Sequence, residues 1–84
     1  MDSNKLKSQI LSILFVASKP VSLAELQQAL GVSEDEAKHA VSEIMAQNQT
    51  AGIILLAQRD KLQLSSNPDN SIAVKKFLSL ELRE

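Results

Sequence analysis

An α+β fold, with helices first and a β-hairpin after them, is what this 84-residue sequence predicts. Two observations carry the prediction. Two serine-headed capping boxes, Ser22-Leu23-Ala24-Glu25 and Ser33-Glu34-Asp35-Glu36, stand close together with Gly31 between them, the pattern of two helices joined by a tight turn. After Gly52 the apolar period changes from helical to strand-like, in a continuous run Ile53-Ile54-Leu55-Leu56-Ala57 and an alternating one Lys61-Leu62-Gln63-Leu64-Ser65.

Taken in order, a first helix is expected over about residues 4–18. At about 100° per residue, Leu6, Ile10, Ile13, Leu14, Val16 and Ala17 gather on one broad arc that should be core. Lys19-Pro20 ends it, because the residue before a proline avoids the helical region, and Val21 is then free to be extended. In the second helix the Ser22 oxygen can accept the N3 amide while Glu25 reaches back to the cap amide. That helix carries Leu26 and Leu30 inward and stops at Gly31, the residue type best able to turn left-handed past a helix end. The third helix has Glu34, Asp35 and Glu36 in its first turn, where the helix dipole favours them, and buries Ala37, Ala40, Val41, Ile44 and Met45. So tight a connection makes the two axes cross steeply, as in a helix-turn-helix. Gln58-Arg59-Asp60 turns between the strands. So short a hairpin cannot stand alone and must pack on the helices, with Leu62 and Leu64 facing inward. Asn67-Pro68-Asp69-Asn70 starts a last helix carrying Ile72, Val74, Phe77, Leu78, Leu80 and Leu82. Helix, strand, helix, helix, hairpin, helix is the winged-helix order, with the hairpin as a two-stranded wing, and it occupies residues 1–84 as one domain.

Composition narrows the function. Nine basic and ten acidic residues are interspersed and give a formal charge of −1, a poor match to the Lys- and Arg-rich surfaces that neutralise phosphates. Without cysteine there is no disulfide framework, and the apolar stretch near the N-terminus is broken by Lys7, Ser8, Gln9 and Ser12, so neither a signal peptide nor a membrane span is expected. The expected setting is cytoplasmic. Catalysis finds no support: His39 is the one imidazole, Cys, Tyr and Trp are absent, and no Gly-rich phosphate loop occurs. No cofactor, metal or small-molecule substrate is expected, and His39 reads as a surface residue.

Three stretches together resemble the N-terminal domain of the segregation and condensation protein B family, the non-SMC subunit that joins the kleisin and the SMC ATPase of bacterial condensin. They are the opening from Ile10 through Lys19-Pro20-Val21-Ser22 to Leu26, the Leu30-Gly31-Val32-Ser33 turn with the acidic helix start behind it, and Gly52-Ile53-Ile54-Leu55-Leu56 followed by Leu62-Gln63-Leu64 and Asn67-Pro68. The resemblance covers about residues 7–80. It implies homodimerisation through this half, with kleisin and SMC subunits as partners in chromosome condensation and segregation at the nucleoid. In two respects the chain stands apart. The family's wing turn is usually glycine-rich where this chain has Arg59-Asp60, and family members carry a second winged helix, whose kleisin contacts are not transferred to these residues.

The residues themselves favour a protein partner over DNA. The outward face of the third helix presents Lys38, His39, Ser42, Ala46 and Gln49, flanked by Glu43 and led by three carboxylates that phosphates would repel. In the alternative reading, a DNA-binding regulator or an orphan adaptor, Lys38, Arg59 and Lys61 would touch phosphate. The positive signal is on the first helix, where Leu11 and Phe15 lie one turn apart opposite the core arc, and on the last, whose apolar residues spread round more than one face. The expected dimer or partner interface is therefore Leu11, Phe15, Phe77 and Leu78.

Overall fold

In the computed structural model, which describes residues 2–47 and 50–82, α1 (Ser3–Val16) begins at Asp2, whose carboxylate accepts the Asn4 amide at 3.3 Å. Leu6, Ile10 and Leu14, four residues apart, are its buried residues, so the core stripe is centred on Ile10. The helix stops at Val16, two residues before the expected end, because Ala17 is already extended at φ −70° and ψ 134°. Val16, expected in the core, is 78% exposed. It lies about 120° round the helix from Ile10, outside the stripe.

α2 (Leu23–Leu30) and α3 (Glu34–Gln47) realise both capping boxes. Ser22 Oγ accepts the Glu25 amide at 3.1 Å and the Glu25 carboxylate accepts the Ser22 amide at 2.9 Å; Ser33 and Glu36 repeat the exchange at 3.1 and 3.0 Å. Between the helices Gly31 takes the left-handed conformation, φ 67°, and donates to the Gln27 carbonyl at 2.8 Å. A Cβ there would meet nothing within 4 Å, so the demand for glycine comes from the backbone angle alone.

Three strands, β1 (Val21–Ser22), β2 (Ile53–Gln58) and β3 (Lys61–Ser66), form an antiparallel sheet in the order β1-β3-β2. Val21 pairs with Leu62 and Ser22 with Lys61, and the Leu23 amide donates to the Asp60 carbonyl at 3.2 Å. The segment released by Pro20 thus enlarges the two-stranded wing to a three-stranded sheet. In the hairpin Gln58 pairs with Lys61, leaving Arg59 and Asp60 as the whole turn. Arg59 adopts φ 58°. So short a loop demands positive φ, usually supplied by Gly, Asn or Asp, and arginine meets the demand at a cost of roughly 1–2 kcal/mol.

The core lies where α1, α2 and α3 meet the sheet. Ile10, Leu26 and Ile44 are its largest fully buried side chains, each contributing about 1.5–3 kcal/mol by leaving water. Ala37, Ala40 and Val41 join them as the α3 periodicity predicts, and Leu55 and Leu62 close the core from the sheet. Met45 does not: it is exposed and, with Ala46, lines a groove against Ile54, Leu55 and Leu56. It sits about 100° round the helix from Ile44, past the edge of the buried face.

Asn67 is the one polar residue buried in the described part, 5% exposed. Its backbone amide donates to the Gly52 carbonyl at 2.8 Å, its side-chain amide donates to the Ala51 carbonyl at 2.9 Å, and its Oδ1 accepts the Asp69 amide at 2.9 Å. It therefore clasps the open end of the hairpin while starting a 3₁₀ turn, Pro68–Asn70, that precedes α4 (Ser71–Glu81). The expected last helix is thus a turn followed by a helix. α4 has no buried residue and packs chiefly on that turn, and the molecule measures 47 Å by 24 Å by 23 Å.

Replacing Asn67 by alanine strands the Ala51 carbonyl and removes the clasp, and is expected to lower stability by about 1–3 kcal/mol in urea unfolding. A second prediction concerns acid. Hydrogen bonds from the Ser22 and Ser33 backbone amides, then from their hydroxyls, hold the Glu25 and Glu36 carboxyls below the ordinary 4.5. The unfolded chain therefore takes up these protons at higher pH than the folded one. The boxes contribute fully above about pH 4.5 and lose their contribution as pH falls through the lower folded values. The urea midpoint should decline between about pH 5 and 3, less steeply in a Glu25→Gln/Glu36→Gln chain.

Candidate interaction surface

Centring the α1 stripe on Ile10 decides what the rest of that helix presents. Leu11 lies about 100° from the stripe and is half-buried against the core, whereas Phe15, one turn on, is 79% exposed. The expected exposed pair is therefore split into an anchored leucine and a free phenylalanine. On the sheet, Ile53, Leu55 and Ala57 share a face with Leu62 and Leu64. The helices cover Leu55 and Leu62 but not Ile53 at the strand's start. Leu11, Ser12, Phe15 and Val16 of α1 then enclose, with Ile53 and Leu64, an open groove of about 460 Å³. No charged side chain lines it.

The other half of the expected surface is on α4. At about 100° per residue Ala73, Val74, Phe77, Leu78, Leu80 and Leu82 spread over one wide arc that also holds Glu81, while Ile72 falls on the opposite side among Lys75, Lys76 and Ser79. Phe77 and Leu78 are 58% and 48% exposed. No α4 residue lines the groove of Leu11 and Phe15, so a single chain holds the four expected residues as two separate apolar surfaces. Val16 and Ile53 belong to the surface and were not expected there. The position of Val16 relative to Ile10 could have revealed it; Ile53 carries no local signal, because its exposure depends on where α1 ends.

The α3 face presents balanced charge. Lys38 is bonded to Glu34 at 2.9 Å, and that contact raises the lysine above its ordinary 10.5. His39 Nε2 lies 3.4 Å from Glu43, and Lys7 is 4.0 Å from the same carboxylate while donating to Gln47 at 3.4 Å. Gln49, expected on this face, lies outside the described residues. Between α2, α3 and the hairpin turn runs a groove of about 660 Å³ in which Lys38 and Arg59 are matched by Glu34 and Asp60. Lys61 lines a different groove, beside Pro20 and Glu25. The three cations of the DNA-binding alternative thus do not line one groove. Among the described residues no three His, Cys, Asp or Glu side chains form a metal-binding group, and no helix is long and apolar enough to cross a membrane.

The family model described as segregation and condensation complex subunit ScpB matches residues 8–83. Segregation and condensation protein B of Clostridium botulinum (strain Kyoto / Type A2) is 31% identical over 83 residues, covering 96% of this chain and 43% of that protein. The protein of the same name from Alkaliphilus oremlandii (strain OhILAs) is 28% identical over 81 residues, covering 94% and 44%. The chain spans less than half the length of these relatives. A crystal structure of a dimer of the ScpB N-terminal domain complexed with ScpA peptide superposes with a TM-score of 0.81 at 26% identity, covering 88% of this chain and 95% of that one. The crystal structure of ScpB from Mycobacterium tuberculosis superposes with a TM-score of 0.91 at 19% identity, covering all of this chain and 54% of that one, a likeness of fold.

The split between Leu11 and Phe15 has a measurable consequence. Phe15→Ala should leave monomer stability within about 0.5 kcal/mol, while Leu11→Ala should cost roughly 1–2 kcal/mol, read from urea unfolding at concentrations too dilute for association. Equal costs would show that Phe15 is covered within its own chain.

Proposed function

Because this chain belongs to the family of the segregation and condensation complex subunit ScpB, we propose that it is a winged-helix scaffold module that pairs with a second copy of itself and holds the kleisin of an SMC complex in chromosome condensation and segregation. The observation that carries the reading is apolar surface left open on both α1 and α4, with Phe15 and Phe77 each more than half exposed. A small fold that leaves such side chains in water has a partner for them. The dimer interface is built from Leu11, Phe15, Phe77 and Leu78, with Val16 and Ile53 at its margin. The ScpB N-terminal domain crystallised as a dimer with ScpA peptide, 26% identical to this chain, supports both the self-pairing and the kleisin. The module works by binding and not by catalysis, in the cytoplasm at the nucleoid: the chain has no Cys, Tyr or Trp, and its one histidine is an exposed partner of Glu43.

Sedimentation velocity over a concentration series, with a labelled DNA duplex present at about 50–100 mM salt, tests the reading where basic-patch binding is still strong. A dimer that leaves the duplex behind is expected, with Phe15→Glu and Phe77→Glu each moving the chain toward monomer. Phe15 is the better probe than Leu11, whose burial would confound dissociation with unfolding. Co-sedimentation with the duplex would replace the scaffold reading by the DNA-binding regulator, with Lys38, Arg59 and Lys61 as its contacts.

A further inference from the structure

We propose that the two copies exchange their last helices: α4 of one chain lies in the groove between α1 and the sheet of the other, and the reverse, so that Phe77 and Leu78 of one copy meet Leu11, Phe15 and Ile53 of its partner. The inference rests on the dimer reading above and specifies its geometry. A two-fold dimer buries a surface that is complementary to itself. Because the apolar residues fall on two separate surfaces, such a dimer has three ways to use them. Packing α1 on α1 sets Phe15 against Phe15 and leaves α4 bare, and packing α4 on α4 leaves the groove bare. Exchange covers both surfaces at once.

Shape and buried area favour exchange. The α1–sheet surface is concave, an open groove of about 460 Å³, while α4 is a free ridge about 16 Å long, and an amphipathic helix laid in an apolar groove is a recurrent mode of recognition. The groove is uncharged along its lining, and the face of α4 around Phe77 and Leu78 is apolar apart from Glu81 in the last turn, with Lys75, Lys76 and Ser79 on the opposite face. Asn67 fixes the turn. Its bonds to Ala51, Gly52 and Asp69 hold the segment before α4, and no α4 residue lines the groove of its own chain. The area suffices as well. Phe15, Val16 and Ile53 on one side and Phe77, Leu78 and Leu82 on the other, each counted twice by the symmetry, remove on the order of 1,000 Å², the lower bound for a specific interface.

The chain has no cysteine, so single thiols report geometry without background. Phe15→Cys and Leu78→Cys chains, one carrying a mass tag, are mixed, equilibrated and treated with a short bis-maleimide. Both sites are substantially exposed, and unchanged urea midpoints would show that both variants fold. Exchange predicts a tagged–untagged cross-link at least about tenfold more abundant than either variant gives alone, because only mixed dimers bring the two thiols together. Abundant Phe15→Cys homodimer cross-links would overturn exchange in favour of α1-on-α1 packing while leaving the dimer reading intact. A Phe15→Cys/Leu78→Cys chain that cross-links within itself, as a monomer by sedimentation, would overturn both, since α4 would then cover its own groove.

Discussion

The pairing of Val21 with Leu62 and Ser22 with Lys61 is the contact on which the remaining architecture depends. The helices and the hairpin are separate local structures, each too small to bury its own apolar face. Two residues of strand between α1 and α2 join them through the sheet, and Leu23 strengthens the seam by donating to Asp60 inside the hairpin turn. Once the seam is made, Leu55 and Leu62 are carried over Ile10, Leu26 and Ile44, and the space left between α1 and the sheet margin becomes the groove beside Phe15. Core and interaction surface are thus two results of one registration.

What was legible in the sequence was what is decided locally. Capping boxes, the glycine stop and the change of period depend on residues within one turn of each other, and the elements they mark are present, with both boxes formed as expected. What was not legible depends on distant neighbours. The mate of Val21 lies some forty residues downstream, and no local pattern points to it. The exposures of Val16 and Met45 follow from where a stripe is centred, which is settled by packing partners. Asn67 read as a helix start, whereas its burial arises from Ala51 and Gly52 across the hairpin. The candidate surface was legible in part: Phe15, Phe77 and Leu78 stand exposed, but Leu11 is drawn toward the core, and Ile53, which lines the groove beside it, had no local signal.

The winged-helix architecture by itself says little about ligands, and here the side chains decide. On the face that would enter a DNA groove, Lys38 is engaged by Glu34 and Arg59 stands beside Asp60, so the long-range field is nearly neutral. On the opposite margin the groove is apolar and uncharged. The same backbone carries a charge-balanced α3 face and an open apolar groove, and the difference between them is made by where carboxylates and leucines sit.

The Asn67 clasp has a consequence in the chemistry of ageing. Asparagine side chains are commonly lost when the backbone nitrogen of the following residue attacks the side-chain carbonyl, closing a succinimide ring that opens to aspartate or isoaspartate. At Asn67 that nitrogen belongs to Pro68, which has no N–H to lose and so cannot close the ring. The residue whose amide holds the hairpin shut is therefore shielded from the commonest spontaneous loss of that amide. Asn70, followed by Ser71, has no such shield, and its side chain makes no cap bond at the start of α4. The clasp is lasting where it has to be, and the unshielded Asn70 beside it is one whose side chain makes no cap bond.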